Sequence, residues 1–191
     1  MKSSRLALFV LVALVQLAVA GGAIVKHELT LRYGEAFRFR IQPVDPVDAF
    51  RGRYVAIRFA EDRAPVADDL DIGSGKRVFV PIEVGIDGFA RLGQVDVEPP
   101  SNGAYLRLRA GIIAPDEDGT RHAWVSMPSQ RFYMDEDLAP ETERAVWGVS
   151  GGRRQASVSV RVRNGIGVIE ELYIDDVPVH QWLAENAEST E

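Results

Sequence analysis

Twenty consecutive residues without a charge, Leu6 to Val25, follow Lys2 and Arg5 at the start of this chain. Such a run has no polar face, and Gln16 is its one strongly polar side chain, so it does not suit a helix on the surface of a soluble domain. As a helix it reaches about 30 Å, the thickness of a bilayer hydrocarbon core. Two readings are open. Residues 1–25 form an uncleaved signal anchor, a transmembrane helix. Alternatively, Leu6–Leu17 is the apolar region of a signal peptide cut after the small residues Ala18–Ala20. The run continues unbroken through Gly21–Val25, which favours the anchor. Either way Lys2 and Arg5 stay in the cytoplasm and the remainder crosses to the far side.

Beyond Val25 the chain alternates. Phe37, Phe39 and Ile41 interleave with Arg38, Arg40 and Gln42; Leu106 and Leu108 interleave with Arg107 and Arg109. In "QASVSVRVRN", Ala156, Val158, Val160 and Val162 share one face, while Ser157, Ser159, Arg161 and Arg163 share the other. Period two with β-branched residues predicts half-buried strands. Asn164–Gly165 predicts a two-residue hairpin turn, and Asp87–Gly88 and Asp118–Gly119 resemble the same device. One helix is expected at "APETERAVWG", with Pro140 in its first turn, Glu141 and Glu143 at its positive end and Trp147 turned to the core. No βαβ rhythm is present. The expectation is a mainly β domain over residues 26–184, an antiparallel sandwich or partly open barrel of nine to eleven strands with one short helix, ending in a frayed tail at 185–191.

Composition narrows the function. With Lys2 and Arg5 set aside, 20 basic residues face 28 acidic ones, which argues against nucleic acid and against peripheral docking on anionic lipid. There is no cysteine, and His27, His122 and His180 are far apart. Thiol chemistry is excluded, and a histidine metal site would need the fold to build it. "DDLDIGSGK" fails as a calcium loop: counted from Asp69, position six is Ser74 rather than glycine and position twelve is Val80 rather than glutamate. No cofactor is implied.

The densest segment is "PVDPVDAFRGRYVAIRFA", Pro43 to Ala60. Its prolines force extended backbone, Asp48 can close a turn, and Gly52 permits a bend where a strand begins. Val55, Ile57 and Phe59 then share the core face, with Tyr54, Ala56 and Arg58 opposite. Asp45, Asp48, Arg51, Arg53, Tyr54 and Arg58 are the candidate lining of a polar binding groove, weighed against a turn with its satisfying charges. No catalytic or metal-ligating set accompanies them. An envelope hydrolase using Asp45 and Asp48 is the enzymatic alternative, and a structural scaffold is the third reading.

This segment resembles the signature of the GDYXXLXY family of bacterial membrane-anchored proteins. Gly52 and Tyr54 match the motif, Ile57 stands for its leucine and Phe59 for its last tyrosine, while Arg53 replaces its aspartate. The apolar N-terminus, "ELTLRYGEAFRFRIQPVDP", "QRFYMDEDLAPETERAV" and "VSVRVRNGIGVIEELYIDD" also look familial. The resemblance implies a single-pass anchor in the bacterial inner membrane and a periplasmic domain. It lends no catalytic residue. The expected partner is an integral membrane protein or an envelope component.

Overall fold

The computed structural model describes residues 2–42, 54–116, 119–135, 138–147 and 155–187. Helix α1 spans Lys2–Tyr33, so it continues eight residues past the apolar run. The added turns are polar, and Arg32 Nε donates to Glu28 Oε1 at 2.7 Å, an i,i+4 pair that supports helix outside a membrane. The most hydrophobic window of the apolar stretch is 0% buried.

Two turns on, the helix is no longer free. Thr30 is 1% exposed and its hydroxyl donates to the Lys26 carbonyl. A single residue, Gly34, then separates α1 from strand β1, Glu35–Gln42. A side chain at Gly34 would overlap the Thr30 carbonyl oxygen and stand 3.1 Å from the backbone N and O of Val162. Only glycine allows the helix end to approach the sheet this closely.

Two five-stranded antiparallel sheets and a two-stranded ribbon enclose one core, in line with the expected β architecture. The first sheet runs β12-β11-β10-β1-β3, with β3 at Arg58–Phe59, β10 at Ala156–Arg163, β11 at Ile166–Ile174 and β12 at Val177–Pro178. The second runs β4-β8-β7-β5-β6: Arg63–Pro65, Arg121–Val125, Tyr105–Pro115, Arg77–Val84 and Ala90–Leu92. Strand β2, Tyr54–Ala56, pairs with β9, Arg131–Tyr133. Among the described residues there are twelve strands rather than nine to eleven, because β3, β4, β6 and β12 are two or three residues long, too short for period two to register. Val158, Val160 and Leu172 meet Val78, Val80 and Leu106 in the middle, all 1% exposed or less.

Three expectations are corrected in detail. Strand β10 is not half-buried: Ser157 and Ser159 are 2% and 5% exposed. Long neighbouring side chains roof its outer face. Arg38 Nη2 donates to Ser157 Oγ at 2.8 Å while its guanidinium lies 4.3 Å from the Tyr173 ring. A bulge opposite Ser159 and Val160 leaves Glu170 unpaired in the ladder and aims it at Ser159 and Arg161. Second, the turns differ. Asn164–Gly165 is the two-residue type I′ turn, with φ of 50° and 78°. Asp175–Asp176, unforeseen, is another, with φ of 49° and 67°. At Asp87–Gly88 only the glycine has positive φ, and Gly88 N–H donates to Gly85 in a wider loop. Gly119 closes on Asp116 in the same way; Asp118 lies outside the described residues. Third, besides the expected helix α2, Ala139–Trp147, the end of the chain forms helix α3, Val179–Ala187. Val179 and Leu183 are buried and Trp182 is partly so, and the helix takes in residues 185–187 of the segment read as a tail, the rest of which lies outside the described residues. The Trp147 side chain is outside the described residues.

Candidate functional site

Of the candidate residues, Asp45, Asp48, Arg51 and Arg53 lie outside the described residues. Tyr54 and Arg58 are described, and the alternation predicted around them is present: Val55, Ile57 and Phe59 are buried at 1–2% exposure. The chain changes partners here. Tyr54–Ala56 pairs with β9, Ile57 N–H donates to Gln130, and Phe59 then pairs with Ile41 of β1. The segment therefore stitches the β2–β9 ribbon to the first sheet.

This switch sends Tyr54 and Arg58 to different surroundings. Arg58 lines a cleft of about 520 Å³ with Gln42, Asp62, Arg63, Trp124 and Gln130. Arg63 lies 5.1 Å from the half-exposed Trp124 ring and pairs with Asp116 at 3.0 Å. Tyr54 instead meets Tyr133 edge to face at 5.9 Å, and the Arg131 guanidinium lies 4.8 Å from its ring. Arg131 and Tyr133 in turn line a second cleft, of about 530 Å³, with His27 of α1, Glu170 and Glu171 of β11, and His180 of α3. The Tyr54 ring thus backs the side chains that line this cleft with α1. Tyr133 is 67% exposed.

No short motif announced this second cleft. Its residues come from α1, β9, β11 and α3, and only the fold assembles them. Spacing gives a cue in one place: Val179, Trp182 and Leu183 sit at i, i+3 and i+4, a helical stripe that positions His180.

The electrostatics here hold the fold together. Arg161 Nε donates to Glu170 Oε2 at 2.8 Å, and its Nη1 donates to the Gly34 carbonyl at 3.1 Å. Arg161 holds the Glu170 carboxyl below its ordinary range, helped by Ser159 and opposed by burial. Asp87 is lowered as well, chiefly by the Phe89 backbone N–H, against some desolvation and with help from Arg40 and Arg91. A carboxylate held down in the folded state contributes stability above its unfolded pKa and loses it as pH falls through the folded value. The melting temperature is therefore expected to fall below about pH 4. Glu170→Gln should flatten part of that fall and, the pair being partly exposed, cost at most about 1 kcal/mol at pH 7. Thermal melts from pH 7 to 3 of both proteins check this; identical acid limbs would show that the Glu170 network carries no such stability.

Among the described residues, no cluster of three or more His, Asp or Glu side chains is arranged to hold a metal ion. A family model described as GDYXXLXY protein matches residues 16–172, from within α1 to within β11. No curated protein and no solved structure matches the chain.

Proposed function

From the premise that this chain belongs to the GDYXXLXY family, we propose that it is a membrane-anchored, non-enzymatic accessory module whose β domain binds an integral membrane or envelope partner. It sits on the periplasmic face of a bacterial inner membrane, with Lys2 and Arg5 in the cytoplasm. One observation carries the reading. Helix α1 is 0% buried over its most hydrophobic window, then joins the β domain through Gly34, with Thr30 buried against the domain and Arg161 Nη1 bonded to the Gly34 carbonyl. A domain held this way does not swing on a tether. It keeps one face, with His27, Arg131 and the exposed Tyr133, beside the emerging helix. That face suits a neighbour in the same membrane. Tyrosine and arginine are enriched where binding energy concentrates at interfaces.

Site-specific photo-crosslinking in intact membranes tests it. A crosslinker at Tyr133 should give a discrete adduct with an integral membrane protein, and one at Ser101, in the exposed loop before β7, should not. The intact mass of the extracted protein should include residues 1–25. Equal or absent adducts at both positions, or a mature N-terminus at Gly21, would overturn the proposal.

A further inference from the structure

A third cleft, of about 320 Å³, lies where α1 meets the tip of the β10–β11 hairpin, lined by Gly22, Val25, Lys26, Leu29 and Thr30 of the helix and by Arg107, Arg163, Asn164 and Ile166 of the domain. We propose that it holds the phosphate of an anionic phospholipid, with Lys26, Arg107 and Arg163 as the binding cations and the apolar helix beside the acyl chains.

Position comes first. Gly22 to Thr30 covers about 12 Å of helix, from the end of the apolar run to the first buried polar residue. The cleft therefore sits where the helix leaves the hydrocarbon. Lys26 is the first charge after Arg5, at the height where a lysine reaches headgroups.

Charge comes second. The Lys26, Arg107 and Arg163 side chains make no ion pair or hydrogen bond among the described residues, whereas Arg32, Arg38, Arg40, Arg63, Arg91 and Arg161 are all paired with carboxylates. No carboxylate among the described residues lines the cleft. The basic surface continues along the outer face of the second sheet, where Arg77 stands directly across from Arg109, one step along from Arg107. Like charges opposed across strands are unfavourable by themselves, and an anion relieves them. Asp96, across β5, is engaged by the Val97 and Glu98 backbone N–H groups.

The backbone holds these cations in place. Arg107 N–H donates to the Gly165 carbonyl at 2.8 Å, which ties the hairpin tip to β7. Gly165 has φ of 78°, and a Cβ there would stand 2.7 Å from the Tyr105 ring and 3.0 Å from Arg107 Cβ. The net acidity of the chain, which argued against lipid docking, does not govern this spot. Charges are screened beyond about 8 Å at physiological ionic strength, so the three local cations decide. The anchor already holds the cleft at the membrane, so even weak affinity for the headgroup suffices.

Native mass spectrometry of the full chain in neutral detergent, titrated with phosphatidylglycerol, phosphatidylcholine or inorganic phosphate, tests the site. Phosphatidylglycerol is expected to bind at least about tenfold tighter than phosphatidylcholine, with each of Lys26→Gln, Arg107→Gln and Arg163→Gln weakening it about fivefold, the worth of one cation near an anionic surface. Arg144→Gln, an equal loss of charge on the exposed side of α2, should leave it unchanged, as should inorganic phosphate. Lipid-free melting temperatures of the variants should match the parent, since the three side chains bond nothing among the described residues. Equal binding of phosphatidylcholine, full binding by the Arg107→Gln and Arg163→Gln proteins, an equal loss in Arg144→Gln, or displacement of the lipid by inorganic phosphate would each overturn the assignment.

Discussion

Val160→Asp should leave little folded protein. Val160 is 1% exposed, in the middle of β10, between β1 and β11 and against the second sheet. An aspartate there exchanges an apolar contact for a carboxylate without a partner, at about 4 kcal/mol or more. Typical domains hold only about 5–15 kcal/mol in total. Circular dichroism melts of the detergent-extracted protein should show the cooperative β transition lost or displaced far downward. Arg77→Asp, at an exposed position facing Arg109, should stay within about 0.5 kcal/mol of the parent or gain slightly. An unchanged transition for Val160→Asp would mean that β10 is not the central strand.

Gly34→Val should have the second-largest effect, and a different one. Its Cβ would strike the Thr30 carbonyl and crowd the Val162 backbone, and neither can turn aside as a flexible side chain would. Overpacking of this kind costs roughly 1–3 kcal/mol, occasionally more. The least costly relief is for the helix end to lift off β10 and surrender the Arg161–Gly34 hydrogen bond. The β core should survive while the junction loosens. Limited proteolysis, probing for cleavage between Lys26 and Glu35 in the variant and not in the parent, separates this from global unfolding. Parent-like resistance would show that the junction tolerates a side chain.

Much of this architecture could be read from residue order. The alternations at Phe37–Ile41 and Ala156–Val162 gave the strands and their core face, because the apolar side of each meets a continuous core. Asn164–Gly165 and the helix at Ala139–Trp147 were equally legible, since their chemistry is local. What stayed hidden depends on partners distant in sequence. Ser157 and Ser159 look like a solvent face, and only Arg38, Tyr173 and Glu170 arriving from two other strands bury them. The Glu170 bulge is invisible to a strict period of two. Asp175–Asp176 lacks the glycine that marks most type I′ turns. The continuation of α1 to Tyr33 was obscured by its polarity, although the Glu28–Arg32 spacing suits a helix. The candidate site was legible least. Tyr54 and Arg58 were singled out as lining one polar groove, yet Arg58 lines one cleft while Tyr54 packs behind the side chains of another, and Lys26, Arg107 and Arg163 carry no local signature.

Helix and β domain are expected to move as one body, which is what the proposed binding face beside the helix requires. Because the chain has no cysteine, spin labels can be placed cleanly at Val19 on α1 and Arg109 on β7. Double electron–electron resonance in lipid nanodiscs should then give a single narrow distance distribution, which a Gly-Ser insertion between Tyr33 and Gly34 broadens. A distribution in the parent as broad as that of the insertion variant would contradict the account.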